Sequence, residues 1–177
     1  MTLGDLSNKK VIILLPMADF RDEEYFSVRE TLETQNAEVL VASSDLGVAR
    51  GMLKGSVEID MTLLEIELSG VSAVIFIGGQ GAAGYFTDST ALQIVKEAYE
   101  KGILIGAICL APMILANAGI LHGKRVTAFS SLDGKLREMG VDYVSEPVMV
   151  DGKIITAQRS EDAKEFGEKI AEMLQGS

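Results

Sequence analysis

Cysteine and histidine each occur once in these 177 residues, proline three times and tryptophan not at all. A lone cysteine cannot close an intramolecular disulfide and excludes two-cysteine metal motifs, so a reducing compartment fits best. Positive charge is also scarce: 16 Lys and Arg stand against 26 Asp and Glu, a net charge of -10. That balance repels a phosphate backbone, and no Lys/Arg cluster offsets it, so no nucleic-acid partner is expected. The opening MTLGDLSNKK lacks the apolar core of a signal peptide, which makes cytoplasmic localisation the expectation. No Pro/Ser-rich linker, repeat or low-complexity tract divides the chain.

What is present is apolar. Hydrophobic residues make up 47% of the chain, enough to fill one core at this length. The expected organisation is one domain over residues 1–177, with residues 1–9 as an N-terminal arm. The run from Ile103 to Leu121 carries no charge, yet Gly106, Pro112, Asn117 and Gly119 interrupt it. It reads as a buried strand feeding a buried helix, so no membrane association is expected.

Short apolar runs alternate with amphipathic stretches: Val11–Leu15 then Asp22–Thr34, Glu38–Ala42, Ala73–Ile77 then Ala91–Lys101, Leu104–Ile108 then Pro112–Ala118, and Arg125–Phe129. This rhythm predicts a doubly wound α/β fold, a mostly parallel sheet with helices on both faces. Helical spacing is clear in Tyr25, Val28 and Leu32, and in Ala163, Phe166, Ile170 and Met173. Turn signals at Lys54-Gly55 and Asp151-Gly152 predict two small antiparallel hairpins.

In such a sheet ligands bind beyond the carboxyl ends of the strands, so the residues after each apolar run are informative. Three places stand out. At G-A-I-C-L-A-P, Gly106 to Pro112, a strand ends on Cys109 and a helix begins with proline in its first turn. That is the pattern of a nucleophile elbow. The helix start and the following N–H groups predict a thiol pKa below the free value of about 8.5. At Ile77-Gly78-Gly79-Gln80-Gly81, glycines permit close backbone approach, and adjacent N–H groups there can hold a developing oxyanion. GGQGAAG lacks dinucleotide-binding spacing, and no cofactor or metal is expected. At Asp19-Phe20-Arg21-Asp22-Glu23-Glu24, acids begin a helix, and one carboxylate, Glu23 or Glu24, can lean toward the thiol as proton acceptor or donor. His122 lies in a Gly-flanked turn on the amino-end side of the sheet, the wrong edge for a catalytic base.

Together VIILLP with F-R-D-E-E, the IFIGGQG turn, the AICLAP elbow, AGILHGKRVT and VMVDGKIITAQRSEDA resemble the ThiJ/PfpI family, or DJ-one superfamily, over nearly the whole chain. The resemblance implies a flavodoxin-like, class I glutamine-amidotransferase-like fold. It implies Cys109 as reactive residue and Glu24 as its glutamate, from the register Phe20-x-Asp22-x-Glu24. Oxyanion-type N–H groups would come from the Gly78-Gly79 turn and from Leu110, and Arg159 would sit at the pocket rim.

One departure counts. Peptidase-like members place His directly after the cysteine, where this chain has Leu110, and others some twenty residues later, where it has Phe129. The implied activity is therefore on small reactive carbonyls or their adducts, as in glyoxalase III or deglycase-like members, with a small molecule or modified protein as substrate. The alternatives are a peptidase, disfavoured by the missing His, and a redox-stress sensor or chaperone that oxidises Cys109. A homodimer or larger homo-oligomer is expected, with Met17, Phe20, Tyr25 and Phe26 either apolar residues of its surface or equally part of the core.

Overall fold

A computed structural model describes residues 4–177. The strands are β1 (Lys10–Leu14), β2 (Ala18–Phe20), β3 (Glu38–Ser43), β4 (Gly47–Gly51), β5 (Ser56–Ile59), β6 (Met61–Thr62), β7 (Ala73–Phe76) and β8 (Leu104–Ile108). They continue with β9 (Arg125–Val126), β10 (Asp142–Tyr143), β11 (Val148–Asp151) and β12 (Ile154–Ala157). The helices are α1 (Asp22–Thr34), α2 (Ser89–Glu100), α3 (Pro112–Asn117), α4 (Asp133–Glu138) and α5 (Ala163–Gln175). Among the described residues no helix is long and apolar enough to cross a membrane.

The main sheet has seven strands in the order β11-β12-β8-β7-β1-β3-β6. All neighbours run parallel except β11 against β12. Strand alternation splits the core in two. Ile12, Leu14, Val74, Phe76 and Ile105 face α2 and α3, whereas Val11, Ile13, Ile75 and Ile155 face α1 and α5. Tyr25, Val28 and Leu32 of α1 and Phe166, Ile170 and Leu174 of α5 supply the second layer. Gly167 lets these helices cross closely, because a Cβ there would stand 3.3 Å from both Thr31 Cβ and Val28 Cα. The flavodoxin-like α/β reading holds: a mostly parallel sheet with helices on both faces.

Both hairpins form. β4 pairs antiparallel with β5 around Lys54, which adopts φ +72°, and β11 with β12 around Gly152 at φ +62°. One expectation changes. The run Arg125–Phe129 contributes only the two-residue β9, which pairs with β10 outside the main sheet. The position beside β8 is held by β12, whose four residues are all buried. Of the apolar residues open to either place, Phe20 and Tyr25 are core, their rings meeting edge to face at 5.9 Å. Of the arm read over residues 1–9, residues 1–3 lie outside the described part. Leu6 is buried, with its N–H donating to the Gln35 carbonyl at 2.7 Å.

Candidate active site

Cys109 stands between β8 and α3 with φ +63°, a left-handed conformation that non-glycine residues adopt only where the surroundings impose it. Two backbone bonds do so. The Cys109 N–H donates to the Ala157 carbonyl on β12 at 3.0 Å, and the Cys109 carbonyl accepts from the Phe129 N–H at 2.8 Å. The chain turns sharply, and the half-buried sulfur is presented at the carboxyl end of the sheet.

The neighbouring turn after β7 is built around two glycines. A Cβ on Gly78 would lie 2.7 Å from Glu24 Oε1, 2.7 Å from the Ile108 carbonyl oxygen and 2.9 Å from Cys109 Cβ. Gly78 is thus the point where the α1 acid, β8 and the elbow meet, and no side chain fits there. Gly79 adopts φ +99°, and a Cβ on it would run into the Asp19 carbonyl oxygen and the Arg21 nitrogen. The backbone N–H groups of Gly79 and Leu110 lie against the Cys109 sulfur and favour its ionised form.

The three acids that open α1 have three different fates. Asp22 accepts from the Leu53 and Gly55 N–H groups, each at 2.7 Å, and ties α1 to the β4–β5 hairpin. Glu23 accepts from Arg21 Nε at 3.0 Å. Glu24 is 0% exposed and faces the thiol: its Oε1 accepts from the Gly78 N–H at 2.8 Å, while its buried Oε2 has no conventional hydrogen-bond partner. Burial raises the Glu24 carboxyl to about 8, against the Gly78 bond and the Arg21 charge that favour ionisation. It is therefore protonated at neutral pH, and Oε2 is the oxygen left free to carry that proton.

The thiol departs from expectation. Burial pushes Cys109 up to about 12, and an ionised Glu24 pushes the same way, while the Leu110 and Gly79 N–H groups oppose them without prevailing. Elbow position alone suggests a lowered value, but α3 is a short helix of six residues, and desolvation outweighs what its start supplies.

The DJ-1/PfpI family profile matches residues 9–173. The chain belongs to this family. A ThiJ/PfpI domain protein from Brachyspira murdochii superposes with a TM-score of 0.93 at 28% identity, over 98% of this chain and 99% of the other. A protein of Pyrococcus abyssi named as a deglycase is 28% identical, covering 92% of this chain and 98% of its own. A protein of Caenorhabditis elegans named as a glutathione-independent glyoxalase is also 28% identical, covering 96% and 91%.

The remaining residues of this DJ-1/PfpI site divide clearly. Leu110 and Phe129 flank the elbow and offer no titratable group; the Phe129 side chain is 40% exposed. Arg159 follows β12 but is held by Asp162, at 3.2 Å from Nε and 3.3 Å from Nη2, with Glu161 nearby. His122 packs over Gly140, where a Cβ would stand 2.6 Å from the ring, in the turn leading into β9. Among the described residues no three His, Cys, Asp or Glu side chains converge to hold a metal ion. A groove of about 1070 Å³ between α1 and α5 is lined by Thr31, Lys164 and Glu168 among others and does not include Cys109. Sequence reasoning overlooked Arg21, whose charge acts on both Glu24 and Cys109. The signal was a base three residues before the glutamate, at the start of the same helix.

Proposed function

We propose that this chain is a cysteine-dependent enzyme acting on small reactive carbonyls or their adducts, through Cys109 with Glu24. The observation that carries the reading is the pairing of a thiol with a buried, protonated carboxyl and no histidine. Such a pair suits addition to an activated aldehyde, which has no amine leaving group to protonate.

With methylglyoxal the sulfur attacks the aldehyde carbon, a C–S bond forms, and the carbonyl electron pair moves onto oxygen, held by the Gly79 and Leu110 N–H groups. The thiol proton reaches that oxygen by way of the Glu24 carboxyl, so the hemithioacetal forms without net charge. The Glu24 carboxyl then gives its proton to the ketone oxygen while its other oxygen takes the hydrogen of the thiol-bearing carbon as a proton, forming an enediol. The carboxyl next protonates the former ketone carbon and takes back the proton of the hydroxyl on the thiol-bearing carbon, which leaves a thioester. The aldehyde carbon is oxidised and its neighbour reduced within one molecule. Water cleaves the resulting thioester, releasing lactate and the free thiol. The names borne by the Pyrococcus and Caenorhabditis relatives support this class of substrate. Peptide cleavage is disfavoured, because Leu110 and Phe129 stand where a proton donor is required.

The test is methylglyoxal consumption and lactate formation by wild type, Cys109→Ala and Glu24→Gln, with casein digestion alongside. Wild-type turnover lost in both variants supports the reading. Efficient proteolysis, or unchanged methylglyoxal turnover in Glu24→Gln, would overturn it.

A further inference from the structure

We infer that Arg21 is a specificity-determining residue of the Cys109 site, selecting electrophiles that carry a carboxylate over neutral ones. The inference rests on the carbonyl reading for its substrate class, namely α-oxoaldehydes with an acidic tail.

The placement of Arg21 comes first. Its backbone N–H donates to the Gly78 carbonyl at 3.1 Å, and its nitrogen abuts Gly79, so the side chain departs from the turn that lies against the sulfur. The side chain is 33% exposed. Nε and Nη2 both converge on one oxygen, Glu23 Oε2, at 3.0 and 2.8 Å. No bond occupies the remaining guanidinium N–H donors among the described residues, and a planar fork of such donors matches a carboxylate.

The local charge balance agrees. Glu24 is protonated at neutral pH, and Asp22 is committed to the hairpin, leaving Glu23 as the one acid bonded to Arg21. Arg159, the other base named for the site, is occupied by Asp162 and Glu161. In a chain of net charge -10, an anionic substrate needs a cation to approach the thiol, and Arg21, set at the turn that lies against the sulfur, is placed to supply it.

The experiment compares alkylation of Cys109 by iodoacetate and iodoacetamide, which differ mainly in charge. In each the sulfur displaces iodide and the thiol proton passes to solvent. The ratio of the two rates is measured at neutral pH for wild type, Arg21→Gln, Arg21→Lys and Glu23→Gln. The ratio is expected to fall about tenfold in Arg21→Gln, the scale of one charge-assisted hydrogen bond. It should recover in Arg21→Lys and rise in Glu23→Gln. An unchanged ratio in Arg21→Gln, or an equal fall in Arg21→Lys, overturns the inference. Should Arg21→Gln not fold, Glu23→Gln decides, since an unchanged ratio there is equally fatal. Alkylation needs only the thiol, so a protein inert toward methylglyoxal yet selective for iodoacetate refutes the carbonyl reading and upholds the role of Arg21. Methylglyoxal turnover without iodoacetate selectivity does the reverse.

Discussion

The first turn of α1 borders two regions that use its acids in opposite ways. On the hairpin side, Asp22 is saturated, each carboxylate oxygen accepting a backbone N–H from the loop between β4 and β5. On the thiol side, Glu24 has one N–H bond, one free oxygen and full burial. Two residues along one helix thus separate an acid spent on structure from one held neutral and available. A carboxyl tied through both oxygens holds backbone in place, whereas burial without a full set of donors raises the pKa of Glu24 and leaves a proton to give.

Exchanging the roles should show the contrast most sharply in activity. Glu24→Gln keeps the shape and the Gly78 bond but removes the titrating group, so methylglyoxal turnover should drop by about 10²–10⁴-fold, the usual range for a general acid–base. Asp22→Ala should retain turnover in the same assay. A comparable loss in both would erase the distinction.

Next in size is the backbone that carries the thiol side. Gly79→Ala combines a disallowed φ with a collision against Asp19 and Arg21, and should cost about 2–4 kcal/mol in urea unfolding. Little change in the unfolding midpoint would mean that this turn yields more readily than its packing indicates.

On the hairpin side the corresponding loss is smaller. Asp22→Ala should destabilise by about 1–3 kcal/mol, since the Leu53 and Gly55 N–H groups lose their acceptor. Hydrogen exchange should quicken at Leu53 and Gly55 while Ile108 remains protected.

The last comparison is in pH. The Glu24 carboxyl is raised from 4.5 to about 8 on folding. Between those values the unfolded chain has released the proton and the folded chain still holds it. The linked stability is therefore full below pH 4.5 and is lost as pH rises through about 8. Wild type should lose melting temperature relative to Glu24→Gln across that window. Parallel melting profiles would show that Glu24 titrates normally.

Much of this was legible along the chain. The AVIFI and ILIGAI runs marked buried parallel strands, and Lys54-Gly55 and Asp151-Gly152 marked the turns of both hairpins. The residues alone left Glu23 and Glu24 open and only the family resemblance implied Glu24; in the fold it is Glu24 that accepts from the Gly78 N–H next to the elbow. Other features depended on what neighbours do. Arg125–Phe129 reads as a strand, yet only its first two residues form one, and the position beside β8 is held by the fully buried β12. Phe20 carries no local mark that separates core from surface, whereas Tyr25 belongs to the helical stripe with Val28 and Leu32 that does face the core. Arg21 looks like one more charge in an acidic helix start, because nothing local reveals that Gly78 and Gly79 lie against it.

By itself the sequence determined the alternation of elements, the elbow at Cys109, the glycines of the adjoining turn and the lack of histidine at either side of the thiol. These are local properties, set by side-chain period, backbone freedom and residue identity. Tertiary structure decided the ionisation of the site. A pKa depends on how much water is removed and which charges come near. Only the meeting of α1, the Gly78–Gly79 turn and the elbow buries Glu24, keeps its proton and raises the thiol that position alone would have lowered.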